Sequence, residues 1–246
     1  MSKPYIGITG FMDKKEVETM IKSIAFETSR QLMIGVLVSN KTINGEKNNH
    51  PTRYPLRERL GQIFIKHPMV INMIHYYTDD QTDLCNQLLD IVMATAGSCD
   101  GIQLNMPWPN HEELEKFKEL CPDKKIVLQI NRKMLESSPN HLSMRCLYEY
   151  NNLVDYILFD ASGGRGLELD VDFLLPFIKM FECISEEINL VVAGGLKSNN
   201  LSQLKPLVDI YPNLSIDAES CLRDENDDLV IIKARNYFHE ALNILE

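Results

Sequence analysis

The residue types best suited to chemistry cluster in three stretches. Asp160 ends the apolar run YILF and precedes Ser162-Gly163-Gly164-Arg165-Gly166. A carboxyl beside such a loop suits a general acid, although a loop-bracing Asp uses the same residue type. Gly163 and Gly164 let backbone N–H groups approach an anion, which Arg165 could cover or leave by pointing into solvent. The second and third stretches are AGGL, residues 193–196, and DAES, residues 217–220. Gly194 and Gly195 remove side-chain bulk, and a helix starting near Ser198 or Asn199 is expected to turn its positive end toward the same anion. A tight turn after a buried strand would use the same glycines. Asp217 and Glu219 would repel a phosphate and suit sugar hydroxyls better. Thr9, Ser39, Arg53, Gln103 and Asn105 complete the polar set.

Positioning these groups falls to a recurring pattern of short apolar runs separated by stretches of helical spacing, the mark of βα units. Eight runs are visible: Pro4 to Thr9, Leu32 to Ser39, Val70 to Thr78, Gly101 to Met106, Lys125 to Ile130, Tyr156 to Ala161, Leu190 to Gly195 and Leu214 to Ser220. Helices are expected over Asp13 to Thr28, Asp80 to Thr95, Asn110 to Leu120, Val171 to Cys183, Asn199 to Val208 and Asp228 to Leu245. The first carries Val17, Met20, Ile21 and Ile24 on one stripe, and the last carries Ile231, Ile232 and Phe238. The fold class is α/β, a (β/α)8 TIM barrel formed as a single domain over residues 1–246, rather than an open doubly wound sheet. In that fold the site forms at the C-terminal ends of the strands, and the loops after strands seven and eight hold phosphate. Two connections are long. Asn40 to Pro51 follows a strand and is either a surface insertion or a lid, and the other spans Asn131 to Asn152.

The formal net charge of −10 disfavours nucleic acid as a partner. Lys41, Lys47, Arg53, Arg57 and Arg59 are close enough in sequence for a local basic patch or for an ordinary solvated surface. The six cysteines stand singly, without metal-ligand spacing, and read as reduced thiols. His75 within the third run is either an interior hydrogen-bonded residue or a functional one. No metal and no cofactor are expected. The absence of a secretory signal or long apolar span leads to an expected cytoplasmic location without a membrane partner. The expected partner is a small phosphorylated metabolite; the oligomeric state is not legible.

In order along the chain, these residues resemble phosphoribosylanthranilate isomerase, a (β/α)8 enzyme of tryptophan biosynthesis. YIGIT resembles the family's I-C-G-I-T, PTRY its P-x-R-Y, GIQLN its V-Q-L-H, and ILFDASGGRG its L-L-D followed by G-G-S-G. AGGL and SIDAES resemble its A-G-G-L and V-D-V-S-S-G. The resemblance implies an Amadori rearrangement of aldose–ketose type. A general acid opens the sugar ring and a base removes the C2′ proton. It makes Asp160 the general acid, Arg53 and Gln103 substrate-positioning groups, Asp217 a partner of substrate or catalytic network, and Gly194, Gly195 and Ser220 parts of the phosphate site; Asn105, at a strand end, is a further candidate for substrate binding. Three positions depart from the pattern. The family's catalytic cysteine falls on Ile6, its histidine on Asn105, and a phosphate-site glycine on Cys221. Two alternatives to isomerisation follow from the lost base: another reaction on a phosphosugar, or a non-catalytic barrel that binds a phosphorylated ligand.

Overall fold

The computed structural model describes residues 3–24, 28–137, 149–160, 169–182 and 188–246. All eight runs form strands: β1 Tyr5–Thr9, β2 Gln31–Ser39, β3 Val70–Tyr77, β4 Gly101–Leu104, β5 Lys125–Asn131, β6 Tyr156–Asp160, β7 Asn189–Ala193 and β8 Ser215–Ala218. They pair in sequence order into a closed barrel. Every pairing is parallel, and closure runs through Ile6↔Ile216, Gly7↔Asp217 and Ile8↔Ala218.

Because successive strand residues face opposite sides, the pleat sorts the side chains into two layers. Tyr5, Met33, Ile71, Met73, Val127, Tyr156, Leu158 and Val191 fill the barrel interior. Ile6, Ile8, Leu32, Ile34, Ile74, Ile102, Val192 and Ile216 join the larger core between barrel and helices. Burial on both faces explains why the strands read as continuous apolar runs. One step nearer the C-terminal ends, the interior turns polar, with Thr9, His75, Gln103, Gln129, Asp160 and Asp217 all buried.

Several helices are shorter than their apolar spacing suggests. The first covers Lys14–Ile21, started by a capping box of Asp13 and Glu16. It ends before Thr28 because the N–H groups of Ser23 and Ile24 bond three residues back and tighten its last turn. Leu84–Ala94, His111–Leu120 and Val171–Glu182 lie within the expected spans. The expected helix from Asn199 to Val208 is instead a 3-10 turn, Leu201–Leu204, and one α turn, Lys205–Val208. Pro206 has no amide hydrogen and interrupts a continuous ladder there. Ile231–Leu245 closes the shell with Ala234, Tyr237, Phe238, Ala241 and Leu245 buried. Ile232 lies off that stripe and is 58% exposed.

At the opposite end of the barrel, buried Arg30 donates to the carbonyls of Pro212, Leu214 and Leu245, fastening the end of the chain beneath β8. Cys85, Cys99, Cys121 and Cys221 are free thiols, while Cys146 and Cys183 lie outside the described residues. Among the described residues no helix is long and apolar enough to cross a membrane.

Candidate active site

The polar layer opens into a pocket at the C-terminal ends of the strands. His75, Gln103, Gln129, Asp160 and Asp217 form its floor and walls, with Asn105, Gly194, Gly195, Glu219, Ser220 and Cys221 toward the rim. The cavity itself is about 70 Å³, within some 520 Å³ of free space that runs out to solvent. Small-molecule pockets usually start near roughly 300 Å³, so a whole phosphosugar must occupy the outward-opening space as well as the floor.

Asp217 sits at the centre of the floor. Thr9 Oγ1 donates to its Oδ1 at 3.1 Å and lies 3.2 Å from His75 Nε2, itself 3.9 Å from Asp217 Oδ2. One hydroxyl carries one proton, so when Thr9 donates to Asp217 the imidazole must be the donor to Thr9. Burial lowers the pKa of His75 to about 3, leaving it neutral. Burial acts oppositely on Asp217 and, outweighing the Thr9 hydrogen bond and aided by Glu219 and Asp160, lifts it to about 8. The Asp217 carboxyl therefore keeps its proton at neutral pH.

On the adjacent wall the side chains form a chain of amides. Gln103 Nε2 donates to Gln129 Oε1 at 3.0 Å, and Gln129 Nε2 donates to Asp160 Oδ2 at 3.2 Å. Among the described residues Gln103 Oε1 is buried without a hydrogen-bond donor, so a ligand hydroxyl or amine that reached it would satisfy a costly orphan acceptor. Asn105 stands just past β4, exposed at the rim, with its backbone N–H tied to the Tyr76 carbonyl.

Arg53 is not among the pocket-lining residues. Its guanidinium binds Asp227 through two nitrogens, one at 2.7 Å, and reaches Glu219 at 3.4 Å. The hydrogen bonds that Arg53 donates to Asp227 raise the Arg53 pKa and, in return, lower that of Asp227. Buried Arg223 approaches the same Glu219 oxygen at 3.5 Å. Desolvation still raises the Glu219 pKa against the pull of Arg223 and Arg53. Gly10, at φ +121°, leaves space that a Cβ would take from the Arg223 guanidinium.

The two glycines after β7 adopt conformations that disfavour other residues, φ +116° at Gly194 and +63° at Gly195. Asn200 fixes this turn by donating to the Gly195 carbonyl at 2.9 Å and accepting from the Lys197 N–H at 2.9 Å. Among the described residues, no hydrogen bond engages the backbone N–H groups of Gly195, Leu196, Ser220 or Cys221. These donors can cradle an anion. The helix dipole expected to assist them is lacking, because one turn starting at Leu201 is too short to supply it. Gly163, Gly164 and Arg165 lie outside the described residues.

Residue 6 does not reach the pocket. Ile6 is fully buried in the outer core, whereas the inward positions of β1 are Tyr5, Gly7 and Thr9. A Cβ on Gly7 would fall 2.7 Å from Asp217 Oδ1, which shows how closely β8 approaches that strand. Reading strand ends alone passed over Gln129 and Arg223. Gln129 lies inside an apolar run, one residue before its last member Ile130, and Arg223 follows the last motif by three residues; pleat alternation could have found the former. The segment after β2 forms the short helix Asn40–Ile43, with Asn48 bonded to both Ser39 and Thr42. Among the described residues it lines neighbouring cavities rather than this pocket.

Fold and site together define a (β/α)8 barrel with a carboxyl-lined pocket on its C-terminal face. In sequence the chain is similar to the N-(5'-phosphoribosyl)anthranilate isomerase of Methanococcus aeolicus, 31% identical over 80 residues. That stretch is 32% of this chain and spans only about a third, 33%, of the curated relative. No family model matches the chain. Among solved structures, phosphoribosyl anthranilate isomerase from Thermus thermophilus superposes with a TM-score of 0.65 at 14% identity, covering 97% of this chain and 98% of the other. TrpF from Jonesia denitrificans gives 0.67 at 14% identity, covering 98% of each chain. The tryptophan synthase α subunit of Legionella pneumophila gives 0.62 at 12% identity, covering 99% and 93%. At these identities the structural likeness establishes the barrel fold, and the chain's similarity to phosphoribosylanthranilate isomerase rests on both comparisons.

Proposed function

We propose that this protein binds a phosphorylated ribosyl substrate and isomerises it by an Amadori-type rearrangement, with Asp160 exchanging a proton with the substrate. The observation that carries the reading is the convergence of Asp160, Asp217, Gln103 and the glycine turn Gly194-Gly195 on one pocket. Backbone N–H groups of Gly195, Leu196, Ser220 and Cys221 would hold the phosphate. Gln103 Oε1 and Asn105 would take sugar hydroxyls, and Gly163 and Gly164 would border the same ligand. Arg53 would act from the rim by restraining Glu219. The test is turnover of phosphoribosylanthranilate, followed by loss of its fluorescence. Asp160→Asn is expected to reduce it about 10²- to 10⁴-fold; unchanged turnover refutes the assignment.

A second reading, another phosphosugar as substrate, draws on charge. Among the described lining residues none carries a fixed positive charge that could meet the carboxylate of anthranilate. Thermal-shift screening of pentose and hexose phosphates separates the readings. Stabilisation by a phosphosugar without phosphoribosylanthranilate turnover favours the second, and the absence of any stabilising phosphosugar counts against both. A barrel kept only for binding gains little support from Ile6, which packs in the outer core and leaves the pocket unfilled.

A further inference from the structure

The isomerase reading needs two proton-transfer groups, and residue 6 offers the pocket none. Resting on that reading, we infer that Asp217 is the second group, giving its proton to the substrate's ring oxygen while Asp160 takes the proton from C2′. This exchanges the acid role that the family resemblance implies for Asp160.

The placement of the two carboxyls carries the inference. Asp160 ends β6 and Asp217 lies in β8, flanking β7, whose inward residue at that level is the small Ala193; all three line the same pocket. Asp160 receives an amide N–H from Gln129, a hydrogen bond that suits an accepting carboxylate. Asp217 accepts from the Thr9 hydroxyl and the Ala218 backbone N–H, and among the described residues no side-chain amide reaches it. Among the described residues, the titratable and charged groups around it are Tyr5 on β1, His75 on β3, Asp160 on β6, Glu219 beyond its own strand and Tyr237 on the closing helix. None is a cation at neutral pH, because burial keeps His75 uncharged. Glu219 is a poorer candidate, being held at the rim by Arg53 and Arg223.

The proton balance closes. Asp217 protonates the ring oxygen as its bond to C1′ breaks, that bond's electron pair passing to oxygen and the nitrogen lone pair forming C1′=N⁺. Asp160 removes the C2′ proton. The C–H pair becomes C1′=C2′, and the C=N pair returns to nitrogen. In ketonisation Asp160 returns its proton to C1′ and the 2′-hydroxyl gives its proton to Asp217, restoring both groups. No oxidant, metal or further reactant enters.

The test is kcat and KM for phosphoribosylanthranilate from pH 6 to 10 with wild type, Asp217→Asn and Asp160→Asn, each checked by its melting temperature. Since Asp217 loses its proton near pH 8, wild-type kcat should fall about tenfold per pH unit above that point. Asp217→Asn should lower kcat about 10²- to 10⁴-fold with KM changed only a few-fold, and its residual rate should lose the alkaline fall. Turnover of Asp217→Asn within tenfold of wild type, or a wild-type kcat level from pH 7 to 10, overturns the inference. The wild-type profile decides alone if the variant misfolds. Absence of wild-type turnover at every pH removes the isomerase reading and this inference together, whereas turnover retained in Asp217→Asn removes the inference only.

Discussion

Replacing Asp217 by Asn should stabilise the protein by an amount that depends on pH in a specific way. Asn retains an acceptor for the Thr9 hydroxyl but never ionises. In wild type, burial raises the Asp217 pKa to about 8, while an unfolded Asp titrates near 3.9. Between those values the unfolded chain has released the proton that the folded chain still holds, so rising pH favours unfolding. The contribution is fully present below about pH 4 and is lost progressively as pH rises through 8. Each pH unit in that window costs about 1.4 kcal/mol, and the whole interval sets a ceiling of roughly 6 kcal/mol. Urea unfolding of both proteins at pH 5, 6, 7, 8 and 9 measures it. The stability of Asp217→Asn relative to wild type should grow by about 3 kcal/mol from pH 5 to 7 and level off above 8. His75, with its pKa lowered to about 3, works in the other direction below pH 6.5, but it is common to both proteins and cancels in the difference. A difference that stays constant from pH 5 to 8 would refute the view that Asp217 is held protonated.

Three further outcomes are expected. Ile6→Cys should not raise phosphoribosylanthranilate turnover, because that side chain faces the helices, and should cost about 1–2 kcal/mol in urea unfolding through lost core volume; a tenfold gain in rate would contradict the inward set Tyr5, Gly7 and Thr9. Arg30→Ala should lower stability by about 2–4 kcal/mol, measured by urea unfolding, because the buried carbonyls it serves lose their donors; the stabilising shift produced by a phosphosugar ligand should not change. Gly35→Ala should destabilise by about 1–3 kcal/mol in the same assay, since the added methyl would stand 2.9 Å from Thr9 Cα and push β1 away from β2.

The alternation of apolar runs and helical stretches was enough to read the barrel, because a parallel sheet buried on both faces leaves eight continuous apolar segments. Strand ends were legible for the same reason, and they led to Gln103, Asp160, Gly194, Gly195, Asp217 and Ser220, which the structure gathers into one pocket. Arg53 shows where such reading stops. Its type and motif suggested a substrate contact, yet Asp227, 174 positions away, engages its guanidinium, and no local pattern encodes that pairing. The expected helix from Asn199 failed because apolar spacing outweighed the missing amide hydrogen of Pro206.

The sequence by itself determined the number and order of the βα units and the side of the barrel on which the polar groups collect. Both follow from short-range periodicity and strand direction. Only the tertiary structure decided which way each residue of β1 faces, and with it that position 6 belongs to the outer core while Thr9 reaches Asp217. It alone also set the protonation of Asp217 and His75. A pKa responds to the water excluded and the charges assembled around a group, and here those come from strands more than 60 residues apart in sequence, such as the 66 between Thr9 and His75.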